Sequence, residues 1–462
     1  MKKGHLCAVA ALTATLLCSH TALPVQAKEQ QAEIEPVKIA IFSDPHYYAP
    51  ELGTTGEAFE KYLAGDRKLL AESKAILEAA LDDIMESDAD VVLISGDLTK
   101  DGEKISHEQF ADYLKKVEKS GKKVYVIEGN HDINNPHAVS FEGNKTKAVD
   151  HISPKQFKSI YKDFGYGEAI AKDSHSLSYV VEPAEGIRLI VMDSALYSTN
   201  LKDDYPKTGG AFSSSRFKWI ENQIKEARSE GKLVLGMTHH GIIEHFSLQD
   251  EFFPDYVVKN WQNVSKRLAD LGMKAVFTGH FHAHDIVKKE TNNDNFLFDI
   301  ETGSLVTYPS PYRYIEITDD YKMKISTKTV KDIDYDTDGL PFPEYAQQFL
   351  KDGLDKLVPG MLAELLIKQG VKKEEALQQA QQLARKEVGN NLTIGDLLAG
   401  GMIAHYQGDE ETDERLEQVI EQLSDSKDEM TRTLSEALAS LYHDSRPKDS
   451  KLTIDLETGK IK

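Results

Sequence analysis

Short apolar runs alternate with amphipathic stretches over residues 37–290, and this alternation constrains the fold more than any other feature. Six runs predict strands: Val37 to Phe42, Val91 to Ile94, Val124 to Ile127, Ile187 to Met192, Leu233 to Met237 and Ala275 to Thr278. Apolar residues at helical spacing between them predict helices over Asp66 to Met85, His107 to Lys119, Ser213 to Ser229 and Trp261 to Leu271. Such an alternation is typical of a layered α/β domain.

The pattern changes twice further along the chain. Strand-like pieces with turn signals, Tyr314 to Thr318 and Met323 to Thr329, extend the α/β domain to about residue 330. A turn-rich linker follows, and the segment from Glu344 to about Tyr442 then has apolar residues at helical spacing. We therefore expect an α/β domain over 37–330, a smaller all-α C-terminal domain over 340–445, and a polar tail with one short strand at most.

Residues 1–27 have the features of a secretory signal peptide. Lys2 and Lys3 precede an apolar stretch from Leu6 to Leu17, and Val25-Gln26-Ala27 supplies a small-residue cleavage site. The stretch is short for a membrane span, which disfavours the alternative of an uncleaved N-terminal anchor. These features predict an exported protein, secreted or held at the cell surface, with no stable membrane insertion after cleavage.

The cysteine content and the net charge limit which metal ligands and which binding partners the protein can have. Both cysteines, Cys7 and Cys18, lie within the signal, so the mature protein has to bind any metal through His, Asp, Asn or Glu. The formal charge is −21, and loss of the signal removes two lysines and no acidic residue. A protein this acidic lacks the basic surface that binds long nucleic acids. The sequence leaves the oligomeric state open.

Five of the six apolar runs end in residues that can bind metal ions. The clusters are Ser43-Asp44-Pro45-His46, Gly96-Asp97, Gly129-Asn130-His131-Asp132, His239-His240 and Gly279-His280-Phe281-His282. Because the carboxyl ends of the strands in an open α/β sheet share one edge, these side chains should meet there. Carboxylate, amide and imidazole ligands suit Mn, Fe or Zn, and a carboxylate can bridge two cations. The list predicts a site for two metals.

In this order the five motifs resemble the calcineurin-like metallophosphoesterase family over about residues 37–290. The resemblance implies a sandwich of two mixed sheets flanked by helices. It also implies two sets of ligands that share Asp97, namely Asp44, His46, Asp97 and His282 for one metal, and Asp97, Asn130, His239 and His280 for the other. His240 is the alternative to His239.

The same resemblance implies a mechanism, in which water or hydroxide held between the two metals attacks a phosphate ester. His131 would assist the phosphoryl group and the leaving oxygen as a general acid. Asp132 would either orient the His131 ring or cap the following turn.

The substrate is less constrained by the sequence. An exported metallophosphoesterase domain followed by helices resembles bacterial 3',5'-cyclic-nucleotide phosphodiesterase-like proteins, a similarity that includes the stretch from Leu397 to Asp409. This implies hydrolysis of cyclic nucleotides, or similar small phosphodiesters, to nucleoside monophosphates. An exported phosphomonoesterase or nucleotidase, or a non-catalytic binding protein on the same scaffold, are the alternatives. Tyr47, Tyr48 and the turn from Thr307 to Arg313 are candidates to line the pocket.

Overall fold

The computed structural model describes residues 33–389, 391–412, 414–427, 429–443 and 448–462. The expected signal peptide, residues 1–27, lies outside these ranges. None of the helices in the described ranges combines the length and apolarity that a bilayer crossing requires.

The described chain forms strands and helices throughout. The strands are β1 Val37–Phe42, β2 Val91–Ile94, β3 Lys123–Val126, β4 Val139–Glu142, β5 Lys145–Ala148, β6 Ala171–Lys172, β7 Tyr179–Ala184, β8 Ile187–Val191, β9 Leu233–Met237, β10 Met273–Thr278, β11 Ile286–Glu290, β12 Phe296–Glu301, β13 Pro311–Ile317, β14 Lys322–Thr329, β15 Glu387–Gly389, β16 Leu392–Thr393 and β17 Lys451–Asp455. The helices are α1 Glu57–Leu63, α2 Ser73–Glu86, α3 Lys104–Lys119, α4 Pro154–Ile160, α5 Asn200–Asp203, α6 Ser214–Ser229, α7 Gln249–Phe252, α8 Trp261–Asp270, α9 Phe342–Lys368, α10 Lys373–Ala384, α11 Ile394–Gln407, α12 Glu414–Ser424 and α13 Glu429–Leu441.

Two mixed sheets form the centre of the α/β domain. The first has the strand order β17-β14-β13-β1-β2-β3, and the second has the order β11-β12-β10-β9-β8-β7-β6. β1, β2 and β3 are parallel in the first sheet, and β8, β9, β10 and β12 are parallel in the second. These strands are almost wholly buried, which explains why their sequences are continuous apolar runs rather than alternating ones.

Helices cover the outer faces of both sheets. Apolar side chains of α2 and α3, among them Ile76 and Phe110, belong to the core that the first sheet shares with the inner face of the second. Ile220 of α6 and Leu268 of α8 pack on the outer face of the second sheet in a separate apolar cluster. The layers therefore run helix, sheet, sheet, helix, and the predicted sandwich of two mixed sheets flanked by helices is confirmed.

The C-terminal helices α9 to α13 form a unit with its own apolar core, into which Phe246 and Phe281 of the α/β domain insert. These helices lie within residues 340–445, the segment predicted to be helical, which also contains the small β15-β16 hairpin. The chain then returns, and β17 pairs with β14, so the last residues complete the first sheet. The α/β domain consequently includes a strand far beyond the expected boundary at residue 330.

One predicted helix begins later than expected. The pattern from Asp66 to Met85 suggested a continuous helix, but α2 begins only at Ser73. Asp66 Oδ1 accepts hydrogen bonds from the backbone N–H groups of Arg67 at 2.7 Å and Lys68 at 3.1 Å. An aspartate that bonds its own following backbone competes with helix formation, so this segment is a loop, which carries the cations Arg67 and Lys68.

Candidate metal centre

The carboxyl ends of parallel strands from both sheets meet at one edge of the sandwich, and the predicted ligands lie there. Asp44 and His46 follow β1, Asp97 follows β2 and Asn130 follows β3. From the second sheet, His239 follows β9, while His280 and His282 follow β10. All seven side chains are buried, with exposed fractions of 5% or less. The structure thus brings together residues separated by up to 238 positions.

One group of ligand atoms comes from Asp44, His46 and His282. His46 Nε2 and His282 Nε2 are 3.3 Å apart, and each lies within 3.7 Å of Asp44 Oδ1. Asp97 Oδ2 is 3.7 Å from His46 Nε2, so the second carboxylate borders the same group. Ligand atoms this close to one another can bind a single metal ion.

A second group contains Asp97, His239 and His280. His239 Nε2 lies 3.3 Å from Asp97 Oδ2 and 3.1 Å from Asn130 Oδ1. Asp97 borders both groups, which is the arrangement required of a bridging carboxylate.

Five of the seven residues have backbone φ angles in the left-handed region: Asp44 (49°), His46 (38°), Asp97 (47°), His280 (80°) and His282 (70°). Such conformations cost about 1–3 kcal/mol each in residues other than glycine and concentrate at functional sites. Gly96 also has a positive φ, 103°, and a Cβ atom there would lie 2.5 Å from His239 Nδ1. The glycine in the Gly-Asp motif is therefore required by the approach of a ligand from the opposite sheet.

Hydrogen bonds to neighbouring groups orient three of the histidines. His239 Nδ1 bonds the carbonyl of Ser95 at 2.8 Å, and His282 Nδ1 lies 3.0 Å from the Thr307 hydroxyl, so both rings direct Nε2 to the centre. His280 bonds the carbonyl of Asp255 through Nε2 at 3.0 Å, which leaves Nδ1 free. Partners of this kind fix the tautomer and the orientation of metal-binding histidines.

The choice between the two adjacent histidines follows from their partners. Both ring nitrogens of His240 are used, because Nδ1 lies 2.8 Å from the Ser194 hydroxyl and Nε2 lies 2.9 Å from the Thr208 carbonyl. His239 keeps Nε2 available. The geometry favours His239, although its role as a ligand stays a prediction.

The residues present fit a pair of transition-metal ions. Asp44 Oδ1 and His46 Nδ1 are buried without a hydrogen-bond partner, and a buried carboxylate oxygen with no donor is costly unless a cation is bound. Carboxylate, amide and imidazole ligands match the preferences of Mn, Fe and Zn. The seven residues together can hold two such ions with Asp97 between them.

His131 borders the same centre but differs from the seven in accessibility. Its side chain is 24% exposed, and Nε2 lies 3.9 Å from Asp97 Oδ2. Nδ1 lies 2.9 Å from Asp101 Oδ1. Burial opposes the charged form of His131, but the carboxylates of Asp97 and Asp101 outweigh it and raise its pKa. An accessible imidazole that is held by Asp101 beside the centre suits the predicted general acid.

Asp132 does not contact the His131 ring among the hydrogen bonds of the described residues. Its carboxylate accepts hydrogen bonds from the backbone of Leu98, Thr99 and Gly129 at 2.8–3.1 Å, and from the Thr99 hydroxyl at 2.9 Å. It thereby joins the loops after β2 and β3. The His131 ring is oriented by Asp101 instead, and the Asp132 carboxylate bonds residues that precede it rather than the following turn that was the alternative prediction.

Three further residues near the centre belong to no recognisable sequence motif. Asp101 lies four positions after the Gly-Asp motif, and its other oxygen pairs with the buried Lys100. Lys68 is 8% exposed, and its charge lowers the pKa of His46, although burial is the larger cause. Arg67 similarly contributes to the pKa of His282, which burial lowers to about 4. Only their contacts in the fold reveal them.

The pocket-lining candidates have mostly structural roles. Tyr47 and Tyr48 are 1% exposed, and Tyr48 stacks on Phe59, so neither can stack on a ligand. Arg313 is buried and donates hydrogen bonds to the carbonyls of Glu301 and Asp449. Thr307 in the same turn orients His282, as described above.

Comparisons with known proteins give one family match and several distant structural resemblances. Residues 37–284, more than half of the chain, match the family model "Calcineurin-like phosphoesterase". Among solved structures, a dimetal phosphatase from Danio rerio shares 15% identity and a TM-score of 0.48, with 65% of this chain and 98% of that chain covered. A purple acid phosphatase from yellow lupin seeds shares 12% identity and a TM-score of 0.42, with coverages of 65% and 52%.

The phosphopantetheinyl hydrolase of Mycobacterium tuberculosis shares 10% identity and a TM-score of 0.29, with 58% of this chain and 89% of that chain covered. A search of curated protein sequences gives no match. The length of the family match, together with the five motifs at one sheet edge, decides the assignment: this chain belongs to the calcineurin-like phosphoesterase family.

Proposed function

We propose that the protein is an exported phosphodiesterase that depends on two transition-metal ions and hydrolyses small phosphodiesters, above all 3',5'-cyclic nucleotides, to nucleoside monophosphates. The observation that carries the hydrolase part is the convergence of seven candidate ligands beside the accessible His131. They are Asp44, His46, Asp97, Asn130, His239, His280 and His282. A non-catalytic binding protein would not need the complete set together with a proton donor.

Bound metal ions would neutralise phosphoryl oxygens and lower the pKa of a water molecule from about 15.7 towards about 7. Side chains of the protein supply the general acid and hold it in position. His131 Nδ1 donates to Asp101 Oδ1, which fixes the ring so that Nε2 points to the centre. A proton on Nε2 can then pass to the leaving oxygen, which makes an alkoxide-like leaving group easier to expel.

Replacement of His131 tests this role. We expect His131→Gln to lower kcat by about 10²- to 10⁴-fold on an alkyl ester, because the leaving oxygen no longer receives a proton. The loss should be smaller on a p-nitrophenyl ester, since that leaving group is stable as an anion. Asp101→Asn should produce a weaker form of the same pattern, and both variants should retain two metals per chain by elemental analysis. Loss of a metal from His131→Gln would instead identify this histidine as a ligand.

The preference for a cyclic nucleotide rests on the whole-chain arrangement, and contacts of the C-terminal helices support it. The backbone N–H of His284 donates to the carbonyl of His405 in α11 at 3.1 Å, and Gln407 donates to the Tyr308 hydroxyl at 2.9 Å. These helices therefore pack beside the loop that carries His280 and His282. A site bordered in this way, on an acidic protein, suits a small anionic ester better than a long polymer.

The test is turnover of 3',5'-cyclic AMP, bis-p-nitrophenyl phosphate and p-nitrophenyl phosphate by the Mn²⁺-loaded protein and by Asn130→Ala. We expect the cyclic nucleotide to be the best substrate. All turnover should fall by about 10²-fold or more in the variant, because one metal loses a ligand that also contacts His239. Thr199→Ala, an exposed position on another loop, serves as the control.

Each other outcome selects a different function. Turnover of the monoester alone would keep the metal centre but make the protein a phosphomonoesterase or nucleotidase. Metal binding without turnover of any ester would favour a binding protein. Export, which is part of the proposal, is supported by the pattern of residues 1–27.

A further inference from the structure

The loop between α1 and α2 carries a cation next to the metal centre that no ligand role explains. Asp66 shapes this loop through its backbone hydrogen bonds, and its Oδ2 lies 3.4 Å from Lys68 Nζ. Leu69 N–H also donates to the carbonyl of Val306 at 2.7 Å, which ties the loop to the segment before Thr307. Both carboxylate oxygens of Asp66 are therefore used, one by the backbone and one by Lys68. The Asp66 charge still acts on Arg67, but no carboxylate among the described residues forms a close ion pair with its guanidinium.

The C-terminal helical region holds the guanidinium of Arg67 in place. Its central carbon lies 5.7 Å from the ring centroid of Tyr406, in α11. The Tyr406 side chain is fully buried, and its hydroxyl has no hydrogen-bond partner in the described structure. The Tyr256 hydroxyl also interacts with Arg67. A guanidinium against an aromatic face keeps its planar set of donors available for another group.

The surroundings place Arg67 at the His280–His282 side of the centre. Tyr256 stacks on the His280 ring, with centroids 4.7 Å apart and an interplanar angle of 28°. Phe281, between the two metal-binding histidines, lies 6.4 Å from Tyr406 between ring centroids. The same two tyrosines that flank Arg67 thus contact the loop that carries the ligands. Arg67 itself is of intermediate exposure, its Nε is buried without a hydrogen-bond partner in the described structure, and its charge acts on His282.

We propose that Arg67 is a substrate-binding residue whose guanidinium binds an oxygen of the phosphoryl group, and that Tyr406 of the helical region positions it. Arginine matches phosphate geometry because it offers two parallel N–H donors. The helical region would thereby contribute to the site through the side chain of Tyr406. This inference rests on the proposed function only in that a phosphoryl group must bind at the metal centre.

Inorganic phosphate is the probe, because it carries the group in question and requires no turnover. Its binding to the Mn²⁺-loaded full chain is measured by calorimetry. We expect Arg67→Gln to weaken binding by about 10- to 100-fold, as for the loss of a charge-assisted hydrogen bond. Arg67→Lys should give an intermediate loss, since it keeps the charge and loses the paired donors. Metal content should remain unchanged in both.

Arg267→Gln is the matched control. Arg267 also lies over an aromatic ring, 4.7 Å from the centroid of Phe217, but it pairs with Glu221 on the outer helices. Its replacement should leave phosphate binding unchanged. Unaltered binding in Arg67→Gln, with two metals retained, would overturn the proposal.

Tyr406 has its own test. Tyr406→Leu removes the aromatic face and should weaken phosphate binding, whereas Tyr406→Phe keeps the face, removes only the unpartnered hydroxyl and should bind phosphate as the wild type does. Tyr406→Leu should have little further effect when Arg67 is already Gln, because the two side chains act together. Additive effects would contradict the positioning role. Since phosphate binding is measured without an ester, failure here is distinct from failure of the phosphodiesterase proposal, which only the turnover panel decides.

Discussion

Asp97→Ala should abolish ester hydrolysis and remove metal from the protein. Asp97 is the residue whose carboxylate borders both groups of ligand atoms, 3.3 Å from His239 Nε2 and 3.7 Å from His46 Nε2. Loss of one positioned electrostatic group costs about 10²- to 10³-fold, and this carboxylate serves the whole centre. We therefore expect kcat to fall by at least about 10³-fold and metal content to fall from two ions per chain to one or fewer.

The measurements are elemental analysis after gel filtration and steady-state kinetics on whichever ester the wild type cleaves. Asp97→Asn separates charge from shape, because it keeps an oxygen that can accept the hydrogen bond from the His131 backbone, 2.8 Å from Asp97 Oδ1. It should fold as the wild type does and still lose activity. Asp112→Ala, an exposed acidic residue paired with Lys115, is the control for loss of one surface charge. Two tightly bound metals in Asp97→Asn, with normal kinetics, would contradict a bridging role.

The strands of the α/β domain could be predicted from the sequence because buried parallel strands are continuous apolar runs. β1, β2 and β9 lie where these runs predicted them, and β3, β8 and β10 are shifted by one or two residues at an end. Strands without a continuous apolar run were not assigned individually. Among them are β7, which pairs antiparallel with β8, and β12, whose buried sequence includes Asp299 and Glu301. β17 was expected only as a short tail strand, since no local pattern shows that it pairs with β14.

The convergence of the candidate metal ligands could be predicted because each follows a strand and the ends of parallel strands meet. The residues that surround and orient these ligands could not be predicted in this way. Asp101 contacts His131 across 30 positions, and Arg67 meets Tyr406 across more than 300. Asp132 adjoins His131 in sequence, yet its carboxylate points to the loop after β2. Side chains that orient catalytic groups are selected by contacts between distant segments, and neither periodicity nor a short motif records such contacts.

The buried histidine His245 also contacts residues that are distant in sequence. Its replacement is the change for which we expect the largest loss of stability. His245 Nδ1 lies 2.8 Å from Asp285 Oδ2, and Nε2 lies 3.5 Å from both Asp299 Oδ2 and Glu301 Oε2. Asp299 in turn accepts hydrogen bonds from the N–H groups of Ile242 and Ile243 and from the Thr278 hydroxyl, and Glu301 accepts one from Ala283 N–H. The cluster thereby holds the two loops that carry His239, His280 and His282.

His245→Leu should lower the free energy of unfolding by about 3–5 kcal/mol near neutral pH, because it leaves buried carboxylates without their cation. Chemical denaturation followed by circular dichroism measures the change. His151→Leu is the control: His151 also contains a buried nitrogen without a hydrogen-bond partner, but it lies in the loop before α4 and pairs with no carboxylate among the described residues. An effect below about 1 kcal/mol in His245→Leu would show that the carboxylates do not depend on the imidazole.

The pH dependence of this difference follows from the pKa of His245. Burial opposes its charge, but Asp299, Asp285 and Glu301 outweigh burial and raise the pKa well above about 6.5, the value in an unfolded chain. The stabilisation is therefore fully present below about pH 6.5 and is lost as the pH rises through the folded-state pKa. The difference in unfolding free energy between wild type and His245→Leu should accordingly be larger at pH 6.5 than at pH 9.5. A difference that grows with pH would mean that the histidine is neutral in the folded protein, and that the three carboxylates share protons instead of binding an imidazolium.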